Sequence, residues 1–240
     1  MTRPVCAIVG AGEGLGRALA AKFAGHDFDI ALVSRTEAGS AAALAAAGRA
    51  GDVRFYPADA TRPETIEDSL STIRRDMGDI EILIYNARGA FKACAPLDMT
   101  YEDLLDVYQI EVVGAFAAAK SVLPGMIERS GGSLFFSSAT AAFRGSGAYP
   151  LYAIGKFGLR ALSQSLAKAY AKDGVHVAHF RLDCDLDVPV MQDMYGDSPD
   201  RAGLANPDDV AETYWLTHQQ PKGGWSNEVE IRPHTENWTY

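Results

Sequence analysis

The chain has 240 residues, a formal net charge of −9 and 48% hydrophobic residues. This length accommodates one α/β domain with a complete core, so we expect a single domain over residues 1–240. The acidic balance argues against nucleic acid or an anionic membrane surface as a partner, and no apolar run approaches a membrane span.

Short apolar, β-branched runs alternate with helical stretches along almost the whole chain. We predict seven strands, at Val5–Val9, Asp29–Val33, Val53–Tyr56, Ile80–Tyr85, Ser133–Ser137, Val175–Arg181 and Glu228–Arg232. We predict helices between them at Leu15–Ala24, Ser40–Ala50, Thr61–Met77, Thr100–Glu128, Ala148–Lys172 and Asp208–Gln219. Strands that are apolar at nearly every position are typical of a parallel sheet covered on both faces. The alternation therefore predicts a doubly wound, seven-stranded α/β sheet with helices on both faces.

Two helix starts and one irregular segment complete the outline. Thr61-Arg-Pro-Glu64 matches a capping box, and Asp103, after Thr100, adds negative charge to a first helical turn. The segment 183–206 is rich in Asp, Pro, Gly and Met and follows a strand. Loops that cover a ligand lie at such positions, so we expect this segment to cover the substrate.

The number and spacing of the cysteines indicate whether the protein belongs to a reducing or an oxidising cellular compartment. Cys6, Cys94 and Cys184 are far apart, odd in number and without metal-ligand spacing. A reduced, cytoplasmic chain is the simplest interpretation.

The first strand leads directly into the glycine turn Gly10-Ala-Gly-Glu-Gly-Leu-Gly16. Gly10, Gly14 and Gly16 form G-x-x-x-G-x-G. To bind a pyrophosphate, the chain must turn sharply out of the strand, bring its backbone close to the anion and enter a helix whose N-terminus faces it. Side chains at these points would block the approach, so glycine is required there. The placement between strand and helix favours dinucleotide binding. The alternative is a flexible glycine-rich turn without a ligand.

The second strand ends at Ser34 and Arg35, which bears on the choice of dinucleotide. A strand that selects NAD usually ends in an Asp or Glu that binds the ribose hydroxyls. Here that acid is absent, and a guanidinium suits the 2′-phosphate of NADP. We therefore predict NADP in preference to NAD. Glu13 in the glycine turn counts against this preference, and a solvated Arg35 is the alternative.

Tyr152 and Lys156 are spaced i,i+4 on a predicted helix, so their side chains share one face. A phenol, with a pKa of about 10, is a poor base at neutral pH, but a nearby ammonium favours the phenolate. Such a pair can move a proton to or from a carbonyl oxygen. Surface packing is the alternative. Ser137 and Ser138 end the fifth strand, at the sheet edge where ligands bind.

The chain has a glycine turn, a serine, a tyrosine and a lysine in this order. With this order of motifs it resembles the short-chain dehydrogenase/reductase family over nearly its whole length. The matching positions are the glycine turn, Asp59, Asn86, Ala87, Ser138, Tyr152 and Lys156. The resemblance implies a single-domain Rossmann fold with Tyr152 as general acid/base. Ser138 would bind the substrate oxygen, and Lys156 would bind the nicotinamide ribose and favour the phenolate.

The resemblance also implies the cofactor site and the partners. The implied cofactor-binding residues are Gly10, Gly14, Leu15, Gly16, Ser34, Arg35, Asp59, Ala60, Asn86, Ala87, Tyr152 and Lys156. Asp59 would contact the adenine, and Asn86 would line the cofactor cleft. The implied reaction is hydride transfer between the nicotinamide of NADP, or of NAD, and a small-molecule carbonyl or secondary alcohol. The implied assembly is a homodimer or homotetramer, built through the long fourth and fifth helices.

One departure from the family pattern lies at the catalytic centre. The family's fourth catalytic residue, an Asn, is expected three residues before Gly114, where this chain has Glu111. A carboxylate accepts the same hydrogen bonds and stabilises a charged Lys156, so Glu111 is our fourth catalytic candidate. The alternatives are that Glu111 is rotated away or that the register differs. The usual Asn-Asn-Ala-Gly also appears here as Tyr85-Asn86-Ala87-Arg88.

A second departure follows the sixth strand. Leu182-Asp183 replaces the family's Pro-Gly, and Asp187 stands where a Thr often grips the nicotinamide amide. The three acids of Asp183–Asp187 suit a metal by composition, but we expect solvated acids and no metal. Together with Glu111 they raise an alternative function, a nicotinamide-binding sensor or scaffold that has lost catalysis. The intact catalytic positions argue against it. An epimerase or dehydratase is a further alternative.

Overall fold

The computed structural model describes residues 3–48, 51–89 and 91–235. One parallel sheet has the order β3-β2-β1-β4-β5-β6-β7. Its strands are β1 (Val5–Val9), β2 (Asp29–Ser34), β3 (Val53–Pro57), β4 (Ile80–Tyr85), β5 (Ser133–Ala139), β6 (His176–Leu182) and β7 (Glu228–Ile231). The strand order reverses between β1 and β4, which creates the crevice where such sheets bind ligands. The predicted doubly wound, seven-stranded Rossmann fold is confirmed.

Helices connect the strands. They are α1 (Leu15–Ala24), α2 (Ala41–Ala47), α3 (Pro63–Met77), α4 (Tyr101–Tyr108), α5 (Ala115–Glu128), α6 (Pro150–Tyr170), α7 (Pro189–Tyr195) and α8 (Pro207–His218). Four of them begin at a proline, whose missing N–H is one that the first helical turn leaves unbonded in any case. The predicted helix Ser40–Ala50 is shorter, and its last two residues lie outside the described ranges.

Each face of the sheet has its own core. Val5, Ala7 and Val9 contribute to the cluster beneath α3, α5 and α6, whereas Cys6 and Ile8 contribute to the cluster beneath α1, α2 and α8. Alternate residues of one strand are thus buried on opposite faces, which explains why β1 is apolar throughout. Complete burial of one such side chain stabilises the fold by about 1.5–3 kcal/mol.

The two predicted helix caps differ in outcome. Thr100 forms a full capping box with Asp103: its Oγ1 accepts from the Asp103 N–H at 3.0 Å, and its own N–H donates to the Asp103 carboxylate at 3.4 Å. The capping box at Thr61 was predicted wrongly. The Thr61 hydroxyl donates to Asp59 at 2.9 Å instead, and α3 begins two residues later at Pro63.

The predicted helix Thr100–Glu128 contains a π-helical turn, Gln109–Gly114, between α4 and α5. Contrary to the expectation from the sequence, Tyr101–Glu128 is long and apolar enough to cross a membrane by length and composition. Half of its most apolar window is buried within the protein, a pattern that core helices share. α5 packs on α3 and on β4, as expected of a layer that covers the sheet.

The segment 183–206 is more ordered than its composition predicts. It contains α7 and a short 3-10 helix, Pro199–Gly203. Its two ends meet where the Asp187 N–H donates to the Ala205 carbonyl and the Ala205 N–H donates to the Asp185 carbonyl, both at 2.8 Å. The segment is therefore a closed loop with a hydrogen-bonded base.

Candidate active site

The register of the sheet brings three strand ends to one edge. Val9 of β1 lies opposite Val33 of β2 and Tyr85 of β4, so the residues after these strands converge. Gly10 has φ +92°, and a Cβ at this position would lie 2.4 Å from the Ala87 nitrogen. A side chain is excluded there by both conformation and space.

Two other glycines of the turn, Gly14 and Gly16, also have close neighbours. A Cβ at Gly16 would lie 2.8 Å from the Ala11 Cα, and one at Gly14 would lie 3.2 Å from the Val188 side chain. α1 starts at Leu15, whose side chain is buried in the core. Because the first turn of a helix leaves its N–H groups without helical partners, the backbone N–H groups of Leu15 and Gly16 are free to donate. These donors and the helix dipole form a cradle that suits a pyrophosphate.

Asn86 stabilises this turn. Its backbone N–H donates to the Val9 carbonyl at 2.7 Å, and its side-chain Nδ2 donates to the Gly10 carbonyl at 2.9 Å. Asn86 thus lies at the predicted cleft, but its side-chain amide is engaged in holding the glycine turn against β4.

The residues predicted to bind the adenosine half of the cofactor also lie close to one another. The Thr61 N–H lowers the pKa of Asp59, burial opposes this effect, and the nearby Arg35 guanidinium adds to the lowering. The Ser34 hydroxyl, at the end of β2, lies 2.7 Å from the Ser40 hydroxyl and donates to the Thr36 carbonyl at 3.0 Å. Arg35 is exposed beside this end, where it can meet an anion.

Glu111 and Lys156 form a buried ion pair. Lys156 Nζ donates to Glu111 Oε2 at 2.8 Å, and the side chains are only 3% and 0% exposed. The other carboxylate oxygen accepts the Gly89 N–H at 2.8 Å. Burial lowers the pKa of Lys156, but the Glu111 carboxylate, aided by Tyr152, outweighs it and raises that pKa. Glu111 therefore points into the site rather than away from it.

The π-helical turn and two glycines place this carboxylate. The Tyr85 hydroxyl donates to the Ile110 carbonyl within the turn. A Cβ at Gly114 would lie 2.6 Å from the Tyr85 hydroxyl and 2.7 Å from the Ala60 carbonyl. On α6, a Cβ at Gly155 would lie 2.8 Å from Glu111 Cγ, so the absence of a side chain there gives Glu111 room beside Lys156.

The two serines at the end of β5 differ. The Ser137 hydroxyl accepts from Tyr214 at 2.8 Å, and the Ser137 carbonyl accepts from Lys156 at 3.4 Å. The Ser138 hydroxyl is buried and has no hydrogen-bond partner in the described ranges. A buried hydroxyl without a partner is uncommon, and a catalytic role is one of the physical reasons for it. Lys156 Nζ lies 5.5 Å from the centre of the Tyr152 ring.

The three acids after β6 have separate partners. Asp183 is buried rather than solvated, which corrects our expectation, because it pairs with Arg232 and accepts from the Thr140 hydroxyl. Asp185 accepts from Tyr195 and Asp187 accepts from Gln192, both at 2.8 Å. Among the described residues, no group of three His, Cys, Asp or Glu side chains converges as a metal site would require.

Sequence reasoning missed two aromatic residues beside Tyr152. The Phe91 ring stands edge-on to the Tyr152 ring at 5.2 Å between centroids and stacks on the Tyr149 ring at 4.2 Å. The two side chains come from different loops, so no local pattern in the sequence joins them.

Three comparisons with known proteins agree with this geometry. The family model of the short chain dehydrogenases matches residues 4–182. Carbonyl reductase family member 4 of Xenopus laevis is 30% identical over 173 residues, 72% of each chain. The crystal structure of a short-chain dehydrogenase from Rhodopseudomonas palustris is 28% identical, covers 96% of this chain and 99% of its own, and has a TM-score of 0.82.

One further structure adds to the evidence for the fold. A metagenomic short-chain oxidoreductase in complex with NADP is 19% identical, covers 97% of this chain and 98% of its own, and has a TM-score of 0.83. With the match over residues 4–182, these findings make the chain a member of the short-chain dehydrogenase family and an NAD(P)-dependent dehydrogenase or reductase.

Proposed function

We propose that the chain is an NADP-preferring oxidoreductase that interconverts a small-molecule carbonyl and a secondary alcohol, with Tyr152 as general acid/base. The observation that carries the proposal is the buried hydroxyl of Ser138, which has no hydrogen-bond partner among the described residues. Ser138 lies on β5, against which α6 packs, and α6 carries Tyr152 and Lys156. A hydroxyl, a phenol and an ammonium on two elements that pack together are suited to hold a carbonyl oxygen and give it a proton.

Each residue has a distinct task in this mechanism. Ser138 donates a hydrogen bond to the substrate oxygen and so orients the carbonyl. Tyr152 gives its proton to that oxygen in reduction and takes it back in oxidation. Lys156, held by Glu111, stabilises the phenolate that is left. The nicotinamide, when bound in the crevice above the glycine turn, supplies or accepts the hydride.

The preference for NADP rests on Arg35. Its guanidinium follows β2 at the point where a ribose-binding acid would select NAD, and it is exposed beside Asp59. The NADP complex of the metagenomic oxidoreductase supports the same choice. Segment 183–206, which closes over Gly14 through Val188, covers the bound substrate and cofactor in this proposal.

We further propose a cytoplasmic homo-oligomer. The predicted fourth and fifth helices, Thr100–Glu128 and Ala148–Lys172, correspond to α4, α5 and α6. They expose large apolar side chains, among them Leu105, Phe116 and Phe157, which a second copy of the chain would cover. Light scattering that gives a monomer at micromolar concentration would contradict this part. The three free cysteines support a reducing compartment.

The test is a Tyr152→Phe variant, compared with Tyr170→Phe as a control at the far end of the same helix. Oxidation of NADPH is followed over aldehydes, ketones, diketones and quinones. We expect Tyr152→Phe to lose at least about 100-fold in kcat, because it removes the general acid. The dissociation constant for NADPH should stay within twofold. Unchanged turnover in Tyr152→Phe refutes the mechanism.

The same assay tests the other candidate function. Wild-type protein that binds NADPH tightly but reduces nothing in the panel would favour the nicotinamide-binding sensor. The direct contact between Glu111 and Lys156 gives that candidate its support, because the carboxylate neutralises the ammonium.

A further inference from the structure

Phe91 and Tyr149, here called the aromatic pair, stand next to the proposed proton donor. Their rings are nearly parallel, with 13° between the planes and 4.2 Å between centroids, and Phe91 meets the Tyr152 ring at 89°. Phe91 is 48% exposed. Phe91 therefore places a half-exposed apolar ring in contact with Tyr152.

The loops that carry the aromatic pair are tied together. The Cys94 N–H donates to the Ala148 carbonyl at 3.0 Å and joins the loop after β4 to the loop before α6. The Ser146 hydroxyl accepts the Tyr149 N–H at 3.0 Å. These two hydrogen bonds link the loop that follows Phe91 to the loop that carries Tyr149.

Phe143 is an exposed phenylalanine whose surroundings differ from those of Phe91. Phe143 is also exposed, but the guanidinium groups of Arg160 and Arg181 lie 5.6 Å and 4.7 Å from its ring centre. Its π-face is thus engaged by cations of the protein. Phe91 is half-exposed as well, but its ring contacts the aromatic rings of Tyr149 and Tyr152.

From this arrangement we infer the substrate class, an inference that rests on the proposed function. The aromatic pair selects carbonyl compounds whose carbonyl is attached to a flat, unsaturated ring, such as aryl ketones and quinones, over saturated ketones of the same size. A flat ring extends the stack of Phe91 and Tyr149, and aromatic contacts contribute beyond simple burial. A saturated ring buries similar area but lacks the π-face.

The experiment compares acetophenone with cyclohexyl methyl ketone, which share the acetyl group and differ in ring planarity. We measure kcat/KM for both ketones with NADPH in wild type, Phe91→Leu and the control Phe143→Leu. We expect Phe91→Leu to lose about five- to tenfold with acetophenone, mainly as a higher KM, and less than twofold with the saturated ketone. Phe143→Leu should change neither. Equal losses for both ketones in Phe91→Leu overturn the inference.

A binding measurement separates this inference from the proposed function. Saturation-transfer NMR of both ketones with NADP-loaded Tyr152→Phe requires no turnover. If acetophenone binds preferentially and Phe91→Leu abolishes that preference, the result supports the selecting role of the aromatic pair even when neither ketone is reduced. In that case only the catalytic proposal for these ketones fails. Equal binding of both ketones, or no binding of either, overturns the inference.

Discussion

Replacing Glu111 by Gln tests the buried ion pair with a change of almost no volume. The variant leaves the Lys156 ammonium buried without a counter-charge. Lys156 and the Gly89 N–H donate to different carboxylate oxygens of Glu111, so in this geometry the amide oxygen of Gln meets one donor and the amide NH2 group meets the other. Removing one partner of a buried pair costs about 3–5 kcal/mol, and retention of one hydrogen bond places this variant at about 3 kcal/mol.

The sign of the pH effect is set by Lys156. Its pKa is raised in the folded protein above the ordinary value of 10.5. The stability that the pair contributes is therefore fully present below pH 10.5 and is lost only as the pH rises through the raised value. At pH 7.5 the whole effect should appear. For a chain of this size, about 3 kcal/mol corresponds to a Tm lower by about 6–12 °C.

Scanning calorimetry at pH 7.5 measures this change, with Glu102→Gln as the control because Glu102 is an exposed carboxylate on α4. The control should shift Tm by less than 2 °C. A second variant, Glu111→Gln combined with Lys156→Met, should recover part of the loss because it removes the unpaired charge. An equal shift for Glu111→Gln and the control, or no recovery in the double variant, would refute the reasoning.

Three other predictions concern the cofactor, the pH dependence of stability and the glycine turn. Arg35→Ala should raise the dissociation constant for NADPH about tenfold, through loss of a charge-assisted hydrogen bond, and leave that for NADH within twofold; equal changes by fluorescence titration would contradict the assignment. Burial lowers the pKa of His179 from 6.5 to about 4, so its contribution to stability is complete above pH 6.5 and is lost as the pH falls towards 4. The free energy of unfolding, measured in urea, should therefore fall by about 2 kcal/mol more between pH 7.5 and pH 5 in wild type than in His179→Gln. Equal decreases in the two proteins would exclude this histidine as the cause. Gly10→Ala should cost about 3 kcal/mol, since its Cβ would lie 2.4 Å from a backbone nitrogen at φ +92°. The control Gly12→Ala, with nothing within 4 Å of its Cβ, should cost far less in the same urea titration.

The strands of the sheet were predictable from the sequence, because each one is marked by a short run of apolar residues and by the turn residues at its ends. Strands such as β1 are apolar at every position, and the glycine turn and helix starts mark their ends. The π-helical turn Gln109–Gly114 was not predictable, since a single wider turn leaves no periodic pattern. It depends on the Tyr85 hydroxyl and on the missing side chain of Gly114, both of which act through tertiary contact. α7, with seven residues, is likewise too short to show periodicity.

For the site, residue types were predictable but contacts were not. The i,i+4 spacing placed Tyr152 and Lys156 on one helix, and the offset from Gly114 singled out Glu111. That Glu111 touches Lys156 directly depends on the space left by Gly155, which no spacing rule indicates. The meeting of Phe91 with Tyr149 depends on two loops joined by one backbone hydrogen bond between distant residues.

The strand order has a consequence for the assembly of the protein during synthesis. From β4 onward every new strand joins the same edge of the sheet in the order in which it leaves the ribosome. The elements carrying Glu111, Ser138, Tyr152 and Lys156 are complete when α6 ends at Tyr170. Asp183, where segment 183–206 begins, gains its partner Arg232 only after β7 has emerged. The residues that we propose for proton transfer are thus synthesised before the residue that pairs with the start of segment 183–206.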